Sequence, residues 1–379
     1  MNTHRTWVEI DERALEKNIR ALRSLLAKET KLCVTVKANA YGHGIDIAAK
    51  TAVNCNVDLI SVDNLDEALS VRSISKTIPV LIIGYTPQDR YGEIISNNLM
   101  TAVFDTAQIK KFNESAEKAG KKASIHLKIE TGTSRLGILP SHVQEFIEEL
   151  EHADFVELSG VYTHFARAEE SDRADFTFEQ TAVFEKAVSE LVLAGHNPKY
   201  IHAACSAALI LYPQTHFNTV RTGISFYGFW PSRHVRAAAK KSGRWVELES
   251  ALSWKTRVAQ VKPLQKGTPI GYGGTDVLGK DSMVAVLPVG YYDGFDRRLS
   301  RIGTVLIKGH VCKVLGNVCM NMIMVDVSDL PLVKEGETAV LIGHDGSQRV
   351  RAEDIADSIG TIHYEIVSRI NPIIPRVLV

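Results

Sequence analysis

Val34-Thr35-Val36-Lys37-Ala38-Asn39-Ala40-Tyr41-Gly42-His43-Gly44 joins an apolar, β-branched run to a glycine-bearing turn, with a single lysine at the junction. The pattern reads as the end of a parallel strand and the loop that leads into a helix. In an α/β barrel, residues at the C-terminal strand ends and in the following loops face the active site. Lys37 stands at such a place. Desolvated by a barrel mouth, its amine could act as a nucleophile or a proton carrier. A solvated lysine that merely ends a strand is the competing reading, and position alone does not separate the two.

Working outward, the same alternation continues on both sides. Thr6–Ile10 is a short strand candidate standing apart from the rest. Asp11 then offers an N-cap, and Leu15, Ile19, Leu22 and Leu26 repeat at helical spacing. Apolar strand candidates follow near 32–37, 58–62, 79–83, 100–104, 124–129, 158–163, 200–203 and 219–222. Helical segments near 43–54, 64–74, 87–97, 106–119, 141–152 and 176–194 lie between them, and Asn64 with Glu67 and Asp105 with Gln108 have capping-box spacing. About eight strand–helix units are what a (β/α)₈ barrel needs. A doubly wound open sheet competes but usually needs fewer strands.

Lys240-Lys241-Ser242-Gly243 reads as a linker, and beyond it the chain is β-rich, with turns at Gly267, Gly271, Gly273, Gly274, Gly309 and Gly316. The expected organisation is a barrel over 11–240 that binds a cofactor, then a mainly β domain formed by 1–10 with 241–379. The isolated N-terminal strand has no neighbour in the barrel, so it is expected to pair in the second domain.

Composition narrows the function classes. Formal net charge is +0 and no charge block stands out, so nothing points to nucleic acid or an anionic membrane surface. The five cysteines form no Cys-x-x-Cys pair, which argues against a structural zinc site or a disulfide framework and favours a reducing cytoplasm. No apolar run suits a signal peptide or a membrane span, and no metal site is expected. Loops after the last two strands of such barrels commonly bind phosphate. Here they are Ala204-Cys205-Ser206-Ala207-Ala208 and Gly223-Ile224-Ser225. Ser206 can donate a hydroxyl, and Gly223 lets backbone approach an anion closely. Joined to the strand-end lysine, this pair of loops fits pyridoxal phosphate.

At this point the chain resembles the bacterial alanine racemases, a fold-type III pyridoxal-phosphate family. Val36–Gly44 is similar to the family's cofactor-lysine signature, and residues 128–137 (Lys-Ile-Glu-Thr-Gly-Thr-Ser-Arg-Leu-Gly) to its lysine–acid–Gly–Arg segment. Thr163-His164-Phe165 resembles a further motif, as do Ser206 and Arg221-Thr222-Gly223-Ile224. In the second domain Gly271-Tyr272-Gly273, residues 288–294, Val318-Cys319-Met320 and Ile362-His363-Tyr364-Glu365 match in order. The resemblance implies interconversion of L- and D-alanine on pyridoxal 5'-phosphate, supplying D-alanine for peptidoglycan. Lys37 would serve one face of the substrate and Tyr272, lent by the partner subunit of a homodimer, the other. A phenol is a poor base at neutral pH and needs help from its site; the resemblance gives that task to His164 and places Arg221 at the pyridine nitrogen.

Tyr41, Ser206, Gly223, Ile224 and Tyr364 become the phosphate contacts, and Arg135 and Met320 the substrate contacts. Lys128 becomes an N-carboxylated lysine orienting Arg135; pairing of Lys128 with Glu130 or another acid is the alternative. Three positions depart from the family pattern: Asn321 stands where aspartate is common, Asn317 where arginine is usual, and Cys205 where asparagine is common. They bear on substrate range, and Arg297 could still supply positive charge at the entrance. A racemase of wider or serine-preferring range, a cofactor-binding protein without racemase activity and a fold-type III decarboxylase are the alternatives.

Overall fold

The computed structural model describes residues 3–170, 173–330 and 332–379. The chain divides into two compact units. One comprises Arg13–Ala40 and Ala48–Ser250; the other comprises Met1–Glu12, Tyr41–Ile47 and Ala251–Val379.

The first unit is built on eight parallel strands that close on themselves. Counting the N-terminal strand β1 (Thr6–Ile10) first, they are β2 (Lys31–Thr35), β3 (Leu59–Val62), β4 (Val80–Ile82), β5 (Met100–Val103), β6 (Ala123–Lys128), β7 (Val156–Tyr162), β8 (Tyr200–His202) and β9 (Thr219–Thr222). β9 closes the barrel against β2, with Cys33 opposite Arg221 and Val34 opposite Thr222. Cys33, Leu59, Leu81, Met100 and Tyr200, from β2, β3, β4, β5 and β8, pack together. The expected barrel is therefore present, and the open-sheet alternative is excluded by the closing pair.

Most expected helices lie within a few residues of their places, including Ile45–Asn54, Leu65–Ile74 and Ala107–Ala119. Two local readings are corrected. Lys240 and Lys241 do not begin a linker but end the helix Arg233–Lys241, which Ser232 caps through the N–H of Val235 at 3.1 Å. Its alanine run favours helix, and its two lysines suit the negative end of the helix dipole. The second correction concerns Lys37. β2 ends at Thr35, and the next residues form a left-handed turn, with φ of 54° at Ala38, 51° at Asn39, 55° at Ala40 and 52° at Tyr41. Left-handed backbone costs a residue with a Cβ roughly 1–2 kcal/mol, so four in succession need support from their surroundings.

The second unit is mainly β. Its strands are β10 (Leu252–Arg257), β11 (Gln260–Leu264), β12 (Pro269–Ile270), β13 (Asp276–Val277), β14 (Ser282–Leu287), β15 (Thr304–Ile307), β16 (His310–Leu315), β17 (Ile323–Asp326), β18 (Thr338–Asp345), β19 (Gln348–Val350) and β20 (Arg376–Leu378). They form one large sheet in the order β11-β14-β17-β16-β15-β18-β10-β1-β20, with β19 beside β18 and β12–β13 apart. As expected, the N-terminal strand belongs here: Thr6–Ile10 runs antiparallel to β10 and parallel to β20. Arg376 donates to the carbonyls of Gly42, Asn371, Ile374 and Ile370, which fastens the segment Tyr41–Ile47 to this unit. Among the described residues, no helix is long and apolar enough to cross a membrane, and no cluster of three acidic, cysteine or histidine side chains is arranged to hold a metal.

One glycine decides how the barrel interior packs. A Cβ on Gly160 of β7 would stand 2.4 Å from His126 Nδ1 and 2.5 Å from its Cε1. His126 is wholly buried and tied at Nδ1 to His202. Gly160→Ala is expected to cost about 1–3 kcal/mol, measured as a lower urea midpoint with unchanged m-value.

Candidate active site

The interior of the first unit is organised by a buried cation. Arg221 on β9 is 5% exposed. Its Nη1 donates to His202 Nδ1 and to the His202 carbonyl; its Nη2 donates to the carbonyls of Thr163 at 2.8 Å and Ala203 at 3.0 Å and to His164 Nδ1 at 3.2 Å. No hydrogen-bond partner of Arg221 among the described residues is a carboxylate, and its Nε–H donates to no protein atom among them. Burial pulls its pKa below the ordinary arginine value, but an arginine stays charged at physiological pH.

That charge fixes the tautomers around it. His202 accepts a hydrogen bond from Arg221 at Nδ1, so as a neutral ring it carries its proton on Nε2, which donates to His126 Nδ1 at 3.0 Å. His126 is left with its proton on Nε2, buried and without a partner. Burial first, and Arg221 second, pull the pKa of His126 down to about 3 and hold His202 well below the ordinary value. His164 is half-buried and is held well below its ordinary value by burial, then by Arg221, Arg135, Lys128 and Lys37. With Nδ1 accepting from Arg221, the neutral His164 presents Nε2–H away from the guanidinium.

At the rim, Lys37 Nζ lies 3.7 Å from Asp63 Oδ1, and the lysine side chain is 36% exposed. Lys128, at the end of β6, is 5% exposed and its Nζ lies 5.6 Å from the centre of the Tyr162 ring. It has no acid partner among the described residues. Burial, then Arg135 and Arg221, lower its pKa to about 8, against a smaller opposing pull from Glu130. The expected alternative, pairing of Lys128 with Glu130, is not formed. The Glu130 carboxylate instead accepts from the N–H groups of Gly132, Thr133 and Arg135 and from the Thr133 hydroxyl. Burial would raise its pKa, but these donors and the Ser134 N–H prevail and hold it at about 2. Arg135 is exposed, and its guanidinium has no partner among the described residues.

The two small-residue loops meet. Ser206 Oγ accepts from Gly223 N–H at 3.0 Å and lies 3.2 Å from Thr222 Oγ1. Ile224 is buried, and its backbone N–H donates to no atom among the described residues. Cys205 occupies the cap position before the helix Ser206–Leu211 without a side-chain cap bond.

In the second unit, Tyr272 opens a short turn between Gly271 and Gly273, whose φ values are 68° and 81°, and it is 77% exposed. Asn317, one of the departures, donates its side-chain amide to the Tyr272 carbonyl at 2.9 Å. Met320 is exposed, and its carbonyl accepts from Tyr292 N–H. The rings of Tyr41 and Tyr364 lie 6.2 Å apart in this same unit. Nothing in the structure assigns a contact to Asn321, and Arg297 lies in a short 3₁₀ turn.

Within the first unit the structure thus gathers Arg221 with His164, and Ser206 with Gly223, while Lys37, Lys128 and Arg135 lie close enough to perturb one another's neighbours. Sequence reasoning missed Asp63, Glu67, His202 and the tautomer role of His126. Asp63 directly follows a barrel strand and His202 ends one, so the rule that strand ends face the site would have found both. A closed parallel barrel with a lysine at its rim and a carboxylate-free guanidinium inside has the architecture of an α/β-barrel enzyme.

Comparison with known proteins narrows this class. The models of the alanine racemase N-terminal and C-terminal domains match residues 10–231 and 251–378. The alanine racemase of Symbiobacterium thermophilum is 39% identical over 98% of this chain and 96% of its own length. That of Leptospira interrogans serovar Lai is 36% identical over 100% of this chain and 97% of its own. The solved alanine racemase of Clostridium difficile 630 superposes with a TM-score of 0.94 at 34% identity, covering 100% of this chain and 97% of that one. The chain belongs to the alanine racemase family and, with it, to the isomerases.

The lowered pKa of Lys128 has a measurable sign. Below about pH 8 the amine is charged in both folded and unfolded states, and its burial penalty is fully present. Between about 8 and 10.5 the unfolded chain keeps the proton and the folded one releases it, so stability rises with pH. In carbon-dioxide-free buffer, the stability advantage of Lys128→Met over the natural protein is expected to shrink by about 3 kcal/mol across this window, measured by urea unfolding at each pH.

Proposed function

We propose that the protein interconverts L- and D-alanine with pyridoxal 5'-phosphate, as a cytoplasmic homodimer whose product feeds peptidoglycan synthesis. The observation that carries the cofactor is Arg221. Its guanidinium meets only neutral acceptors and keeps Nε–H unengaged, which suits the unprotonated nitrogen of a pyridine ring. Two neighbouring positive charges would be unfavourable, so a cation here keeps that nitrogen free of a proton. Ser206 Oγ, the backbone at Gly223 and the unengaged Ile224 N–H suit a phosphate, with Tyr41 and Tyr364 as further contacts. When bound, the cofactor supplies an electron sink that acidifies the substrate's α-hydrogen.

The protein supplies binding, orientation and two proton carriers. Lys37 would hold the cofactor through its amine and would carry a proton on one face of the substrate. Tyr272 of the partner subunit carries a proton on the other face; its exposure on a glycine-flanked turn supports its availability to a neighbour. His164, neutral and with Nε2–H outward, donates to the oxygen of that tyrosine and favours its deprotonated form. Arg135, exposed and without an acid partner, takes the substrate carboxylate through its planar fork, with Met320 closing the pocket beside it. The lowered pKa of Lys128 supports N-carboxylation: its neutral amine adds to carbon dioxide and releases one proton, giving a carbamate that can orient Arg135. The β-rich unit thereby completes the partner's site, an isologous arrangement.

Mixing subunits tests the sharing of sites. Lys37→Ala and Tyr272→Phe are each expected to racemise alanine at least about a hundredfold more slowly than the natural protein. Unfolded together and refolded as hybrids, the two should recover up to about a quarter of natural activity, because half of randomly paired dimers carry one intact site. Hybrids as inactive as the parents would contradict the sharing.

A further inference from the structure

We propose that Glu67 is the positioning residue for Lys37. The inference rests on the reading of Lys37 as the cofactor-bearing amine, and it begins from a motif that the function leaves unexplained. Asn64 and Glu67 have capping-box spacing, and half of the box forms: Asn64 Oδ1 accepts the N–H of Glu67 at 3.0 Å. The reciprocal half does not. The Glu67 carboxylate turns from the N–H of Asn64 and bridges two other loops. Oε2 accepts from Asp63 N–H at 2.9 Å, and Oε1 accepts from Ala38 N–H at 2.6 Å, across 29 residues of chain.

Each of these two amides matters to Lys37. Ala38 is the first residue of the left-handed run and directly follows the lysine. The first N–H groups of any helical turn lack a partner within it, and a carboxylate there satisfies one with a charge-assisted bond. Within the turn, Ala40 N–H donates to the Val36 carbonyl at 2.9 Å, so Glu67 and this bond hold the lysine from both sides. Asp63 carries the carboxylate 3.7 Å from Lys37 Nζ. Its backbone is gripped twice, by Glu67 at its N–H and by Gly84 N–H at its carbonyl at 3.0 Å. A Cβ on Gly84 would stand 2.3 Å from that carbonyl, so the approach requires glycine. Glu67 thus ties the turn after Lys37 to a loop that the barrel already fixes, and grips the backbone beside both members of the Lys37–Asp63 pair. An amine that carries a covalent group and then moves a proton depends on its aim, and displacement by about 1 Å can cost a hundredfold in rate.

The test compares Glu67→Ala, which can take neither amide, with Glu67→Gln, which keeps one acceptor oxygen. Amide hydrogen exchange in the cofactor-free protein is expected to accelerate about tenfold or more at Ala38 and Asp63 in Glu67→Ala. Exchange at Cys33 and Leu59, within the strands, should stay at natural rates. Capture of pyridoxal phosphate by Lys37, trapped with borohydride and located by mass spectrometry, should slow about tenfold. Turnover should fall by a similar factor with KM for alanine within about twofold and with the thermal midpoint unchanged, a split that a merely structural loss would not produce. Glu67→Gln should lose exchange protection at one of the two amides, and it carries the test if Glu67→Ala fails to fold. Natural exchange at both amides, or natural capture rates, in the variants would overturn the proposal. Trapping of the cofactor on a lysine other than Lys37 in the natural protein would instead refute the reading on which it rests, and the exchange result would still stand.

Discussion

A guanidinium buried in the barrel without a carboxylate beside it is the constraint from which the rest of the site follows. Removing such a charge from water carries a penalty of several kcal/mol, which here is offset by neutral acceptors alone: three backbone carbonyls and two imidazoles. The arrangement works only if those imidazoles stay uncharged. Arg221 therefore dictates the protonation of His164 and His202 and, through His202, that of His126. The same field reaches Lys128 and helps to lower its pKa. A buried cation with one N–H to spare can still donate to a neutral acceptor, and that capacity comes from the protein's own charges.

The second constraint is conformational. Four consecutive residues with a side-chain Cβ adopt left-handed backbone immediately after Lys37. Such strain persists where surroundings over-determine it, and it concentrates at functional positions. Among the supports are the neighbouring strand's loop, through Glu67, and the turn itself, through Val36. Arg221 governs charge inside the barrel, and this turn governs where the reactive amine stands at its rim. The two are linked by the closing strand pair, in which Cys33 lies opposite Arg221 only four positions before Lys37.

Much of this was legible in the sequence. Eight apolar runs at regular spacing disclosed the barrel, and the orphaned N-terminal strand disclosed its place in the second sheet, because alternation and strand counting report burial directly. Lys37, Arg221, Ser206 and His164 were singled out from ordered motifs, and the structure brings Arg221 to His164 and Ser206 to Gly223. What stayed hidden depends on geometry that no local pattern encodes. Asn64 and Glu67 looked like a self-contained cap, yet the carboxylate serves Ala38, a residue distant in sequence. The lysine stretch looked like a strand end running into a loop, because Ala-Asn-Ala carries no glycine to announce positive φ. Lys240 and Lys241 looked like a linker because two lysines before Ser-Gly resemble one; the capped alanine helix preceding them decides otherwise. Asn317 looked like a loss of charge, while in three dimensions it holds the Tyr272 carbonyl.

The most direct test of the account's central claim is a carbon-detected NMR titration of His126, His164 and His202 in the labelled protein. With Arg221 charged and uncompensated, all three rings should remain neutral, their signals unchanged, as pH falls from about 8 to about 5. Titration of any one of them with a midpoint near the ordinary ~6.5 would show that the guanidinium does not control its surroundings, and would contradict the account.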